Sequence, residues 1–368
     1  MTTAHRWCLV AVAATLLVVV PLVVSARPVP DLSLDAQQLL ARIRAADNVA
    51  YAGYVEAHGN LPLPTTDEFN SVANLFGGSS RLRVWWESDD AWRVDRLSAS
   101  GETDLFHSGS RTTTWDYERL RATSTLDALV FLPRAVELLP PRLAELVLTD
   151  LRTDELSRLP AIRVAGRQAP GLRLTPSVPQ SSIDNIDIWA DADSGLPLRV
   201  RIVGHGDDSP PIDTSFAELT LGQPSTQALT FDPPAGSRPS SSGLGSDSLL
   251  GHILAVVRAP QLAGLPAIGS SPPGLFTRYG RGVSQFLVLG LDDDVAGPLR
   301  SQLASATGVV VNDDGSALAA GPLHLHLSPH RHFEPSWLLV GTVDGLTLRR
   351  AARQIDQLRG TAAGGAGS

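Results

Sequence analysis

The chain has one cysteine, no lysine and only 5% aromatic residues over a length of 368. Cys8 lies inside an apolar N-terminal run, so everything beyond it is free of thiols. That excludes disulfides, zinc–cysteine clusters and a cysteine nucleophile from the rest of the protein. Lipoprotein processing is excluded too, because a lipid-modified cysteine follows an apolar core rather than opening it. All 30 basic residues are arginine, and the net charge of −8 is spread without blocks. An acidic chain with no basic stripe is not built for nucleic acid. His-Glu-x-x-His, Gly-x-Ser-x-Gly and a lysine-bearing phosphate loop are all missing from the sequence. Neither an enzyme nor a cofactor is expected.

What is present begins with residues 7–24, apolar apart from Thr15 and Pro21 and placed behind Arg6. At a rise of ~1.5 Å per residue the segment spans roughly 27 Å, close to a bilayer core. Its length favours a membrane anchor, while Val24-Ser25-Ala26 suits a signal peptide cut after Ala26. On either reading the chain from Arg27 onward is expected outside the cytoplasm, anchored at the cell membrane or secreted.

The richest stretch is RLRVWWESDDAWRVDRLSASGETDLFHSGSRTTTW, residues 81–115. Leu82, Val84 and Trp86 alternate with Arg81, Arg83 and Glu87, and Trp92 and Val94 with Arg93 and Asp95. Polar turns at 88–90, 100–101 and 108–110 separate the rows. The pattern is an antiparallel meander with one buried face, so Trp86 and Trp92 belong to the core. Trp85 and Trp189 fall on the charged side.

Around it, Ser33 is placed to cap a helix over 33–46. A strand at 49–57 follows, then an irregular Leu-Pro loop over 61–78. Residues 124–150 read as helix broken at Pro133 and Pro140-Pro141, too apolar for a surface helix. Strands are expected at 162–164 and 171–175, a hairpin at 183–190 and 196–203, and a strand at 216–221. Residues 233–247, PPAGSRPSSSGLGSD, read as a flexible linker between a domain at 33–232 and a smaller α+β domain at 248–358. In the latter, strands are expected at 275–279, 285–290, 308–311, 318–327 and 337–343, with helices at 294–306 and 346–358. Residues 359–368 read as a disordered tail.

Three constellations hint at metals or nucleotides. His324 and His326 share a strand face, with His330 and His332 across a turn, but no fourth ligand or supporting shell is evident. Asp191-Ala-Asp-Ser-Gly195 opens like a calcium loop, yet Ile202 stands where the loop's glutamate belongs, so a hairpin turn is expected. Gly243-Leu-Gly245 and Gly280-Arg-Gly282 lack a helix-opening context. No metal is expected.

Taken in order, a helix, AYAGYVEA, the Leu-Pro loop, RLRVWW…AWRVDRL and a Thr-Trp-Asp strand resemble the N-terminal domain of the MucB/RseB family, a branch of the LolA-like lipoprotein-carrier superfamily. IDIWADADSGLPLRVRI resembles that superfamily's strand–turn–strand, and WLLVGTVDGLTLRRAARQI a strand-to-helix ending of the second domain. The form with an apolar N-terminal segment is similar to that of high-GC Gram-positive bacteria. The resemblance implies an α+β fold, a curved antiparallel half-barrel enclosing helices. It implies a cavity for an acyl chain, lipid or lipoprotein, lined here by Leu82, Val84, Trp86, Trp92, Val94, Leu129, Phe131, Ile186, Ile188, Leu198 and Val200. It further implies a regulator of a sigma factor whose C-terminal domain contacts an anti-sigma factor, or alternatively a lipid or lipoprotein carrier. A hydrolase with a dispersed site is a third class.

Overall fold

The computed structural model describes residues 29–65, 70–98, 101–127, 132–207, 210–241, 249–269, 276–306, 308–332 and 334–365. The expected anchor or signal at 7–24 lies outside them. No helix among the described residues is long and apolar enough to cross a membrane.

Helix α1 (Ala36–Arg44) is capped by Asp35 rather than Ser33. The Asp35 carboxylate accepts from the Gln38 N–H at 2.8 Å, and the Gln38 side chain accepts from the Asp35 N–H at 2.9 Å. This reciprocal box satisfies two orphan donors where a lone serine satisfies one. The meander follows as β1 (Tyr51–Gly59), β2 (Ser79–Ser88), β3 (Ala91–Ser98), β4 (Gly101–Ser108), β5 (Arg111–Asp116) and β6 (Arg121–Leu126). A short helix, α2 (Asn70–Phe76), occupies part of the stretch expected to be irregular.

The over-apolar segment is only partly helical. It forms a 3-10 turn at Ala135–Leu138 and α3 (Pro140–Val147), with Pro140 and Pro141 opening the helix where missing N–H groups cost nothing. The chain continues through β7 (Leu156–Val164), β8 (Arg167–Leu174), β9 (Ile183–Ala190), β10 (Pro197–Gly204), β11 (Ile212–Leu221), a single turn α4 (Thr226–Leu229) and β12 (Arg238–Ser241).

These strands make one open 12-stranded sheet in the order β12-β6-β5-β4-β3-β2-β1-β11-β10-β9-β8-β7. Every neighbouring pair is antiparallel except β12 on β6. The 233–247 segment is therefore not wholly linker, because four of its residues are a strand at the sheet's edge. Serine and proline there read as coil because the ladder, not the side chains, holds them.

The second sheet is built from β13 (Ile253–Ala255), β14 (Gln261–Leu262), β15 (Leu265–Gly269), β16 (Thr277–Arg281), β17 (Ser284–Leu291), β18 (Val310–Asn312), β19 (Gly315–Ala320), β20 (Leu323–Leu327) and β21 (Ser336–Gly341). Its order is β14-β15-β16-β17-β21-β20-β19-β18, with β13 on β17. The strand expected over 318–327 is two strands, turned at Gly321 with φ +54 and at Pro322. Glycine takes the left-handed backbone and proline leaves the ladder, so the chain reverses there. Helices α5 (Asp293–Ser305) and α6 (Gly345–Gly365) complete the domain. The second runs through residues expected to form a tail.

One apolar cluster crosses from sheet to sheet. It joins Leu40, Leu143, Val147, Ile186 and Val200 of the first domain to Leu289, Leu299, Leu318 and Leu327 of the second. A second cluster covers one face of the first sheet, where Val84, Trp92 and Phe216 pack with Val136, Leu138 and Leu139 of residues 135–147, which form a plug against that face. The Thr214 hydroxyl donates to the Leu138 carbonyl at 2.6 Å, tying plug to sheet.

Candidate functional site

The interior of the first sheet is dense. Period-two alternation brings Tyr51, Trp86, Trp92 and His107 into register on neighbouring strands. Their rings stack face to face at centroid spacings of 6.1, 5.8 and 4.8 Å. Arg142 of α3 lies 5.6 Å from the Trp86 ring and Arg134 lies 5.9 Å from that of Trp92. The plug thus meets the ladder with apolar side chains and two guanidinium groups, which favour aromatic faces.

The expected cavity residues sit in this packing. Leu82, Val84, Trp86, Trp92, Val94 and Leu198 belong to the plug cluster, and Ile186, Ile188 and Val200 to the cluster shared with the second domain. All nine are at most 4% exposed. Leu129 and Phe131 lie outside the described residues. Of the nine, Trp86 lines a hollow of about 430 Å³ at the mouth of the sheet, beside Tyr51, Arg142, Glu145 and Leu196. Burial raises the Tyr51 hydroxyl pKa, and that hydroxyl has no hydrogen-bond partner. Trp189, expected on the charged side, is buried and donates its indole N–H to the Pro160 carbonyl at 3.2 Å.

The large apolar space lies elsewhere, between the two sheets. It measures about 470 Å³. The first domain supplies Leu132, Val147, Ile183 and Ile202, and the second supplies Leu287, Leu325 and Val340. Arg278, Gln285 and Thr342 are the polar side chains on its wall, and the Arg278 Nε is buried without an acceptor. Such a volume with few convergent polar groups is typical of a small-molecule site, where ~300–1,000 Å³ is usual.

Hydrogen bonds hold the walls in place. The Ser182 N–H donates to the Thr342 carbonyl at 3.1 Å and the Asp344 N–H to the Gln180 carbonyl at 2.8 Å. Beside the cavity, the Glu155 carboxylate accepts from Arg281 of β16 at 2.6 Å, from the Ser177 hydroxyl at 2.6 Å, and from the Arg152 and Ser177 backbone N–H groups at 2.8 and 2.9 Å. Burial alone raises this carboxyl, but the Arg281, Ser177 and Arg152 donors outweigh it and lower the pKa to about 2. Sequence patterning missed this clasp, because its partners are 126 residues apart.

The metal hints resolve differently. His326 is buried, with neither ring nitrogen hydrogen-bonded, and burial lowers the pKa of both His324 and His326. His330 pairs with Asp293 at 3.1 Å instead of joining them. Asp191 accepts a fork from Arg167, at 2.7 and 3.1 Å, and its Oδ2 accepts from the Ser194 N–H. That stretch is a hairpin turn with Gly195 at φ +78. On the far face of the meander, Asp95 and Asp104 flank Arg93, which donates to them at 2.6 and 3.0 Å. Burial, then the neighbouring Asp95 charge, pushes Asp104 up to about 7.

Two open sheets with an apolar hollow between them, and helices packed against the larger, make an α+β fold of two domains. No protein-family model matches the sequence, and no curated protein matches it. Among solved structures, that of MucB in complex with MucA(peri) aligns over 86% of this chain and 97% of its own, at 20% identity and a TM-score of 0.51. The MucA/MucB complex of Pseudomonas aeruginosa aligns over 86% and 96%, at 18% identity and a TM-score of 0.49. A LolA-superfamily protein from Nitrosomonas europaea aligns over 54% and 99%, at 9% identity and a TM-score of 0.23. The first of these fixes the fold. The chain has a MucB/RseB-like fold that runs through both domains.

Proposed function

We propose that this protein is a non-enzymatic, extracytoplasmic regulator of the MucB/RseB kind that captures a single-chain amphiphile between its two domains. The observation that carries the reading is the apolar hollow of about 470 Å³ walled by Ile183 and Ile202 on one side and by Leu287 and Val340 on the other. An acyl chain matches those walls. A carboxylate head group pairs with the Arg278 guanidinium on the cavity wall. Energetics suit a sensor. Removing a sixteen-carbon chain from water gains on the order of 12 kcal/mol at ~0.8 per CH₂, but taking it from a membrane gains little. Capture is therefore reversible.

A site shared by two domains also gives the ligand leverage on their arrangement, which favours a regulator over a single-domain carrier. The partner is read as a membrane-bound anti-sigma factor engaged through the C-terminal domain, in line with the MucA(peri) complex of the structural relative. The chain is placed outside the cytoplasm, held by or released from residues 7–24.

Titration with a naturally fluorescent fatty acid tests this. Saturable binding by the wild-type protein is expected, with at least tenfold weaker binding by Leu287→Trp. Leu287 is half-buried on the cavity wall, so the larger ring enters the hollow without displacing core. The melting temperature is expected to stay within a few degrees of wild type. Absence of saturable binding by the wild type, or equal affinity in the variant, contradicts the reading.

A further inference from the structure

The edge of the large sheet is closed by the chain itself, and poorly. After β11, the segment 226–241 crosses the face opposite the plug and then lies along β6. It is fixed at two points. Phe231 lodges against Phe106 and Trp115, with ring centroids 5.1 and 5.9 Å away. Beyond it, β12 pairs with β6 in parallel over four residues, Arg238 to Ser241 against Arg121 to Ser124. The Arg238 N–H donates to the Leu120 carbonyl at 2.8 Å, and the Ser240 and Thr123 hydroxyls meet at 3.0 Å. Leu120 itself holds a left-handed backbone at φ +48, a conformation that strains a non-glycine residue.

Three features mark this strap as a weak occupant. Its strand is short, parallel and includes Pro239, which cannot donate to the ladder. An unfilled space of about 640 Å³ remains beside Phe231, among Asp104, Phe106, Trp115, Tyr117 and Gln227. Under it, two side chains at most 2% exposed carry a buried polar atom without a partner: Asp104, through Oδ1, and Trp115, through its indole N–H. Buried polar atoms are nearly always satisfied, and these two are an acceptor and a donor side by side on paired strands.

We propose that the strap is exchangeable, and that the β6 edge with its aromatic pocket is a docking site for an extended peptide segment of a partner protein. The occupant adds a strand to β6, seats an aromatic side chain where Phe231 lies, and carries a basic residue upstream that donates to Asp104. Recognition is by strand addition, in which main-chain bonds give affinity and side-chain pockets give specificity. The cis strap lowers the apparent affinity of any such partner until it is displaced. This site is separate from the apolar hollow, and the test below does not depend on lipid binding.

The probe is a fluorescein-labelled peptide with the chain's own sequence 225–241, and a second in which Lys replaces Gln227. The proteins are the full chain and its Phe231→Ala/Arg238→Pro variant, which removes the aromatic anchor and the N–H that bonds Leu120. Fluorescence anisotropy is expected to show at least tenfold tighter peptide binding by the variant. The lysine peptide is expected to bind it severalfold tighter again at low salt. In hydrogen exchange, the β6 amides of the variant are expected to lose protection alone and to regain it with peptide, while β1–β3 stay protected. Equal peptide affinity for both proteins overturns the proposal. So does unchanged β6 protection in the variant, or loss of protection across the whole sheet, which makes the strap a structural staple.

Discussion

Trp92→Ala is expected to destabilise the first domain by about 3–5 kcal/mol, the usual range for deleting a buried tryptophan. Trp92 is 4% exposed and is the third ring of the stack formed by Tyr51, Trp86 and His107. Its removal opens a void between two rings that β2 and β4 hold in place, so neither can close it by a rotamer change. Arg134, which lies over the ring, loses its aromatic partner as well. Trp92→Phe keeps a stacked ring and is expected to lose less. Urea unfolding followed by far-UV circular dichroism measures both; a change below roughly 1 kcal/mol for the alanine variant contradicts a packed interior.

The second large effect falls on the clasp between domains. Glu155→Ala is expected to cost about 3–5 kcal/mol, because it takes from the Arg281 guanidinium its only carboxylate among the described residues, and leaves two backbone N–H groups and the Ser177 hydroxyl without their acceptor. The guanidinium then keeps just the Ser177 hydroxyl and the Asp150 carbonyl. The loss is expected to appear as freer domains, read by small-angle scattering as a larger radius of gyration. The same carboxylate sets an acid limit. Its pKa is about 2 in the folded protein against a usual 4.5. A depressed carboxyl stabilises the fold fully above pH ~4.5, and that contribution of roughly 3 kcal/mol fades as pH falls toward 2. Glu155→Gln is expected to flatten stability against pH across that window. An acid profile equal to wild type contradicts the clasp.

How far these features were legible in the sequence depends on what set them. Alternation of Leu82, Val84 and Trp86 with arginines declared the meander and its buried face, because one sheet face meets the core whatever follows. Alternation does not say whether a buried row touches a plug or a void. Ile186 and Ile188 are filled against by neighbours, whereas Ile183 and Ile202 look onto the hollow, and nothing local separates the pairs. That distinction is made by β17, β20 and β21, more than 80 residues downstream of Ile202.

The strap escaped notice for a related reason. Serine, proline and glycine predict coil from side-chain preference, while β12 is held by main-chain bonds to an edge that needs covering. Capping was legible in kind but not in place: Asp35 and Gln38 form the box that Ser33 was positioned to begin. The Arg-rich, lysine-free composition, uninformative about fold, becomes meaningful at Arg93, Arg167, Arg173 and Arg281. Each gives a carboxylate a directed, charge-assisted bond.

The guest of the proposed function is expected between the sheets rather than inside the larger one. A fatty acid carrying a photoactivatable diazirine on its chain, cross-linked to the full protein and mapped by mass spectrometry, tests it directly. Adducts are expected on both walls, near Ile202 and Val147 and near Leu287 and Val340. Adducts confined to the mouth hollow around Tyr51 and Trp86, or none at all, contradict it.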